Sequence, residues 1–140
     1  MMQQNREHID TILIHRVDSL EPDVVFVSTL NQQIGLGVAA GGDVEVWLSP
    51  EECRSILVSL QAAVFRVEAG KEYETFNDIH LQQMNDYAAK VPAIVLVSDH
   101  RGEIGLYVAI KDNGGGQVWM DLSHCREIMI ALQTAIERLG

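Results

Sequence analysis

Ile34-Gly35-Leu36-Gly37-Val38-Ala39 returns seventy positions later as Ile104-Gly105-Leu106-Tyr107-Val108-Ala109. Working outward, Pro22 and Ser28 return as Pro92 and Ser98 at the same offset. Beyond the glycines the offset becomes 72, because the second copy holds two extra residues in its glycine stretch. There Trp47, Cys53, Arg54, Ile56, Leu60, Gln61, Ala63 and Arg66 meet Trp119, Cys125, Arg126, Ile128, Leu132, Gln133, Ala135 and Arg138. Residues 22–67 and 92–139 are therefore one segment written twice. A duplication constrains architecture strongly and function hardly at all.

Each copy reads as three strands and a helix. Val24–Leu30 is rich in β-branched and aromatic residues, Gln33–Ala40 returns, and Val44–Leu48 alternates apolar with polar. Ser49-Pro50-Glu51-Glu52 then opens a helix, with Ser49 as cap and Glu52 completing a capping box. Cys53, Ile56, Leu57, Leu60, Val64 and Val67 form its core-facing stripe, and Gly70 ends it. In the second copy Ile94–Ser98, Glu103–Ile110 and Gln117–Leu122 repeat the strands, with Lys111–Gly116 as a glycine-rich turn. Asp121 caps a helix from about Leu122 to Leu139. Upstream, Thr11–Val17 favours a strand, whereas its offset counterpart Leu81–Tyr87 is polar enough to favour a helix or an irregular segment.

The expected fold class is α+β: two tandem repeats of an antiparallel three-stranded meander followed by a helix, packed with internal pseudo-two-fold symmetry. One compact domain would hold repeats at about 8–70 and 78–140, joined near 71–77. A unit of half the chain buries a thin core and a fused pair a better one. The first strand of each copy is apolar on both faces, and a helix covers only one. The other face also carries Trp47 or Trp119, so it is expected to be shielded, first by the other copy.

Twenty acids stand against ten bases, for a net charge of −10, spread over both copies without a basic run. This disfavours nucleic-acid backbones and anionic membranes, and permits a basic protein partner or plain solubility. Met1 to Asp10 is polar, and the longest aliphatic run, Ala93–Val97, is far short of a membrane span. Cys53 and Cys125 occupy matching positions, so each belongs to its own copy's core rather than to a shared disulfide, and a reducing cytoplasmic setting is expected.

The stretch Val46-Trp47-Leu48-Ser49-Pro50-Glu51-Glu52, followed by Ser55-Ile56-Leu57 and Arg66-Val67-Glu68-Ala69-Gly70-Lys71, resembles the small BssS-type biofilm-regulator family. Arg16-Val17-Asp18-Ser19 ahead of a strand is similar too, and the resemblance is best over residues 12–72. Members are about as long as one repeat, so the chain looks like a tandem, fused relative. The resemblance implies a small cytoplasmic regulatory protein of bacteria or their phages, without an established catalytic site.

Catalytic and metal constellations do not emerge from the residues. Cys53 and Cys125 lie near helix N-termini, where a thiolate is favoured, but they sit on the apolar stripe, which favours core packing. His8, His15, His80, His100 and His124 lack zinc-site spacing. Gly114-Gly115-Gly116 leads into a strand and lacks the lysine of a phosphate loop. No catalytic residue, metal or cofactor is expected. The candidate partner- or ligand-binding residues are Trp47, Trp119, Arg54, Arg126, Gln61 and Gln133. Each helix repeats an arginine and a glutamine seven apart, with Val58 or Ile130 between them, as a contact surface would. The expected activity is non-enzymatic recognition of a protein partner, a basic one given the acidic surface, with a homo-oligomer allowed. The alternative is a small-ligand pocket at the repeat junction lined by Trp47, Trp119, Arg54 and Arg126.

Overall fold

The computed structural model describes residues 6–70, 75–84 and 89–140. In the first half, strands β1 (Glu7–Ile14), β2 (Asp23–Leu30), β3 (Gln33–Ala39) and β4 (Asp43–Leu48) precede helix α1 (Pro50–Glu68). In the second, β5 (Thr75–Met84), β6 (Lys90–His100), β7 (Glu103–Ile110) and β8 (Gly114–Met120) precede α2 (Leu122–Leu139). Each half is a four-stranded antiparallel sheet in chain order, β1-β2-β3-β4 and β5-β6-β7-β8.

This corrects the expected three-stranded meanders: each sheet has a fourth strand, at its start. Sequence comparison at offset 70 set Thr11–Val17 against Leu81–Tyr87 and so read the second segment as helical or irregular. The structure instead pairs Ile12 with Val25 and Ile79 with Val95. Ile12 and Ile79 are only 67 positions apart, because the stretch from Ile79 to its partner Val95 is three residues longer than that from Ile12 to its partner Val25. At that spacing Ile12-Leu13-Ile14 faces Ile79-His80-Leu81, and the alternation of a half-buried strand is plain in both. Of the connection expected near 71–77, residues 71–74 lie outside the described residues and Thr75–Asn77 already belong to β5. Residues 85–88 of the stretch read as helical or irregular are likewise outside them.

Turn chemistry sets the hairpins. Asn31 and Gln32 both take positive φ, 55° and 63°, in a two-residue turn that matches strand twist. Arg101 and Gly102 do the same at 50° and 84°. The glycine stretch is not the turn it was expected to be. Gly114–Gly116 pair with Ile110–Val108 as the first part of β8, and the turn is confined to Lys111–Asn113. At the start of α1, Glu52 N–H donates to Ser49 Oγ at 3.1 Å while Ser49 N–H donates to Glu52 Oε1 at 2.9 Å. Asp121 caps α2 by accepting from His124 N–H at 2.9 Å.

The two halves exchange helices. α1 packs over β5, β6 and β7, and α2 over β1 and β2, while the helices also pack on each other. Both sheets turn the same register inward: Val25, Val27, Ile34, Leu36, Val46 and Leu48 in one, Val95, Val97, Ile104, Leu106, Val118 and Met120 in the other, all buried. These residues, with Cys53, Ile56, Leu60, Cys125, Ile128 and Leu132 from the helices, form one continuous core. Neither half could bury its inner face with its own helix placed this way, so the apolar burial that stabilises the fold is shared. Ion pairs reach across as well: Arg66 of α1 to Asp99 of β6 at 2.8 Å, Arg138 of α2 to Glu7 of β1, and Arg126 of α2 to Glu68 of α1 at 2.9 Å.

The other copy therefore shields the faces bearing Val25 and Val95, and the tryptophan faces point outward. No helix among the described residues is long and apolar enough to cross a membrane.

Candidate functional site

The period of two puts Phe26, Ser28, Glu45 and Trp47 on the outer face of the first sheet, and Leu96, Ser98, Tyr107, Gln117 and Trp119 on that of the second. Glycines on the central strands make room for the rings. Trp47 lies over Gly35, where an added Cβ would sit 2.9 Å from the ring, and Phe26 over Gly37, where it would sit 2.0 Å away. In the second half Trp119 lies over Gly105 at the same 2.9 Å.

Occupancy of the two faces differs. Arg6 lies across the first. Its guanidinium is 5.9 Å from the centre of the Phe26 ring and 5.5 Å from that of Trp47, a cation–π arrangement. It donates to Ser28 Oγ at 3.1 Å and pairs with Glu45. Burial raises the Glu45 carboxyl above its ordinary range, with Arg6 opposing the rise. On the second face Ser98 Oγ is buried without a hydrogen-bond partner among the described residues. Trp119 is 38% exposed, flanked by the His100 ring at 6.2 Å between centroids. Beside it runs a groove of about 550 Å³, lined by His80, Ile94, Tyr107, Ala109, Lys111 and Gly115 among others.

The six expected residues do not meet in one place. Trp47 and Trp119 are on the outer faces of different sheets. Arg54, Gln61, Arg126 and Gln133 are exposed along the two helices. Arg126 pairs with Glu68, fourteen residues along α1 from Arg54, which is about 21 Å at roughly 1.5 Å per residue. The two arginines thus mark opposite ends of an antiparallel helix pair, and the structure does not bring them together with the tryptophans. Between them Val58, Phe65 and Ile130 are exposed at 66%, 69% and 67%.

Cys53 and Cys125 are free and buried, and burial pushes both thiols up to about 12, against the weaker opposing pull of Arg54 and Arg126. Cys53 Sγ lies 3.9 Å from Leu132 O, wedged between the helices. Desolvation outweighs the helix N-terminus here, and the thiolate needed for nucleophilic or redox chemistry is disfavoured.

Sequence reasoning missed Arg6, Ser98, Gln83 and Asp23. Arg6 lies just ahead of β1 and Gln83 lies in β5, two strands whose correspondence the fixed offset concealed. Ser98 carried a signal, since its counterpart Ser28 was among the repeated residues. No protein-family model matches the chain, and no curated protein matches it significantly.

Proposed function

We propose that this chain is a non-enzymatic, acidic regulatory protein that binds a basic segment of a protein partner on the outer face of its second sheet, around Trp119. One observation carries this reading. In the first half an arginine of the chain itself covers the tryptophan, bonds the buried serine and meets an acid. In the second half the same tryptophan and serine are in place, and among the described residues the serine oxygen has no partner. Arg6 is thus a built-in example of what the second face, uncovered by any described residue, would accept. An arginine from outside would lay its planar guanidinium flat on Trp119 and donate to Ser98 Oγ, a geometry that its fixed fork of five donors suits better than the point charge of an ammonium. Glu103, on the rim beside Trp119, supplies the negative charge that Glu45 supplies in the first half. The apolar groove of Ile94, Tyr107 and Ala109 offers room for the flanking residues. A net charge of −10 draws basic chains in from a distance and repels nucleic acids and anionic membranes.

The resemblance of residues 12–72 to the BssS-type regulators is in keeping with a regulatory role, and two free, buried thiols suit a reducing cytoplasm. The exposed Val58, Phe65 and Ile130, flanked by Arg54, Gln61, Arg126 and Gln133, favour the helix pair as a second contact surface, where a second copy would sit. Phe65→Glu should then lower the mass seen by sedimentation and leave peptide binding unchanged.

The main reading is tested with an arginine–glycine peptide and a lysine–glycine peptide of equal charge. The arginine peptide should bind more tightly. Trp119→Ala should weaken it at least tenfold while Tm moves by no more than about 2 °C, since the ring is partly exposed. Trp47→Ala should leave binding unchanged. Equal binding by wild type and Trp119→Ala, or no preference for arginine, would rule the proposal out.

A further inference from the structure

We propose that a polar pocket at the free edge of β8 binds a primary carboxamide, the side-chain group of glutamine and asparagine. The template is inside the molecule. Buried Gln83 of β5 lays its carboxamide along the outer edge of β4. Its Oε1 accepts from Trp47 N–H at 2.7 Å, and its Nε2 donates to Trp47 O at 2.8 Å. One side chain thereby completes the edge strand at that residue, as another strand would.

Trp119 holds the same register in the second sheet. Trp47 stands opposite Gly35 and Trp119 opposite Gly105. Because Trp47 points its N–H and C=O away from β3, Trp119 points its own away from β7. Among the described residues nothing bonds them. The position matching Gln83 is Arg16, two residues past Ile14 as Gln83 is two past Leu81. Arg16 does not reproduce the lock. Its guanidinium is turned to Asp18 and Asp23, at 3.5 and 3.6 Å. A pocket of about 260 Å³ remains, lined by Arg16, Asp23, Glu103, Gln117 and Trp119. That is far more room than one water requires.

The chemistry of the lining selects the ligand. The strand edge offers one donor and one acceptor at a single residue, and a carboxamide answers both. A carboxylate has no donor for Trp119 O and would face Asp23 and Glu103. An ammonium or guanidinium has no acceptor for Trp119 N–H, which would stay unpaired. With a carboxamide in place, Asp23 can take the second amide hydrogen, and Arg16 can donate to the amide oxygen. The group could come from free glutamine or asparagine, or from such a side chain on a protein. This inference does not depend on the basic-segment reading, which uses the Trp119 ring rather than its backbone.

The experiment is an NMR titration of the full chain, following backbone amides, with L-glutamine, with N-acetyl-glutamine methylamide and with L-glutamate. The Trp119 amide should shift saturably at millimolar glutamine or its blocked form and not with glutamate, while Trp47, already locked, stays still. Response to the blocked form alone assigns the group to a protein side chain; response to the free amino acid alone assigns it to a metabolite. Two variants sharpen the test. Gln83→Ala should make the Trp47 amide respond as Trp119 does. Arg16→Gln should fill the pocket from within, abolish the Trp119 response and raise Tm by about 3 °C. No saturable Trp119 shift with either glutamine probe, or an equal shift with glutamate, would overturn the proposal.

Discussion

The outer faces of the two sheets carry the same tryptophan–glycine–serine arrangement and differ in everything around it. Trp47 over Gly35 beside Ser28 corresponds to Trp119 over Gly105 beside Ser98. Around this constant, Phe26 opposite Gly37 becomes Leu96 opposite Tyr107, so the aromatic ring passes from one strand to its neighbour. Bulk is kept at the cross-strand pair while its owner changes. Arg6 and Glu45 are different in kind: Gln117 stands at the Glu45 position, and Ser98 loses the donor that Ser28 has. Changes compensated within the pair speak for structure. A change that leaves a buried hydroxyl unpartnered among the described residues is the one on which the proposed binding face rests.

The ion pairs that join the halves should break most unequally. Arg66 and Arg138 hold matching places near the ends of α1 and α2, and each reaches the opposite sheet. The Arg66 and Asp99 side chains are only 17% and 3% exposed, whereas those of Arg138 and Glu7 are 55% and 48% exposed. Arg66→Ala removes a charge partner from a buried carboxylate and should cost on the order of 3 kcal/mol. Arg138→Ala should cost less than about 1 kcal/mol. Urea unfolding of both variants measures the difference, and equal losses would mean that the matching pairs are equivalent after all.

A smaller effect tests the compensated pair. Gly37→Tyr installs the second half's ring in the first, where even a Cβ would sit 2.0 Å from Phe26. Overpacking of this kind should cost about 2 kcal/mol. Adding Phe26→Leu recreates the Leu96–Tyr107 pair and should recover most of the loss, a coupling of roughly 1 kcal/mol or more in the double-mutant cycle. Additive losses would deny that the two pairs are alternative solutions to one packing problem.

These comparisons also show what was legible in the chain itself. Strands β2 to β4 and β6 to β8, both helices and their caps follow from period, turn residues and the repeat. The fourth strand of the second sheet was hidden because three extra residues between it and the strand it pairs with broke the offset just there. Thr11–Val17 was read as a strand on its own composition. Leu81–Tyr87 was not, since Gln82, Gln83 and Asn85 mask a pattern that needs only Ile79 and Leu81 to face inward. The helix exchange could not be read at all, because both inner faces are equally apolar and either helix would suit either sheet. For the same reason the tryptophans were set at the junction. What pointed outward was decided by Gly35, Gly37 and Gly105, which accept rings over the strand and leave the inner face to Ile34, Leu36 and Leu106. Arg6 and Gln83, the residues that say most about the two open sites, become meaningful only through contacts 22 to 39 positions away.

The finest distinction between the outer faces is a titration. Burial raises the Glu45 carboxyl above its usual 4.5, with Arg6 pulling the other way. A carboxyl whose folded pKa lies above its unfolded one favours folding while protonated, so its contribution is complete below pH 4.5 and is lost as pH rises through the folded value. Stability should therefore fall slightly across that window, and Glu45→Gln, which copies Gln117, should flatten the slope. Arg6→Ala removes the opposing charge, so the Glu45 pKa should climb further and the falling region should extend to higher pH. It should also expose Trp47 and give the arginine–glycine peptide a second place to bind, while the lost cation–π and surface ion-pair contacts cost only about 1 kcal/mol. Carboxyl carbon shifts of Glu45 against pH, with urea midpoints at the same pH values, measure both effects. A Glu45 that titrates below its ordinary range would mean that Arg6 holds it as a full ion pair. The first face would then be closed by charge rather than by stacking, and Arg6 would no longer serve as the template for a guest on the second.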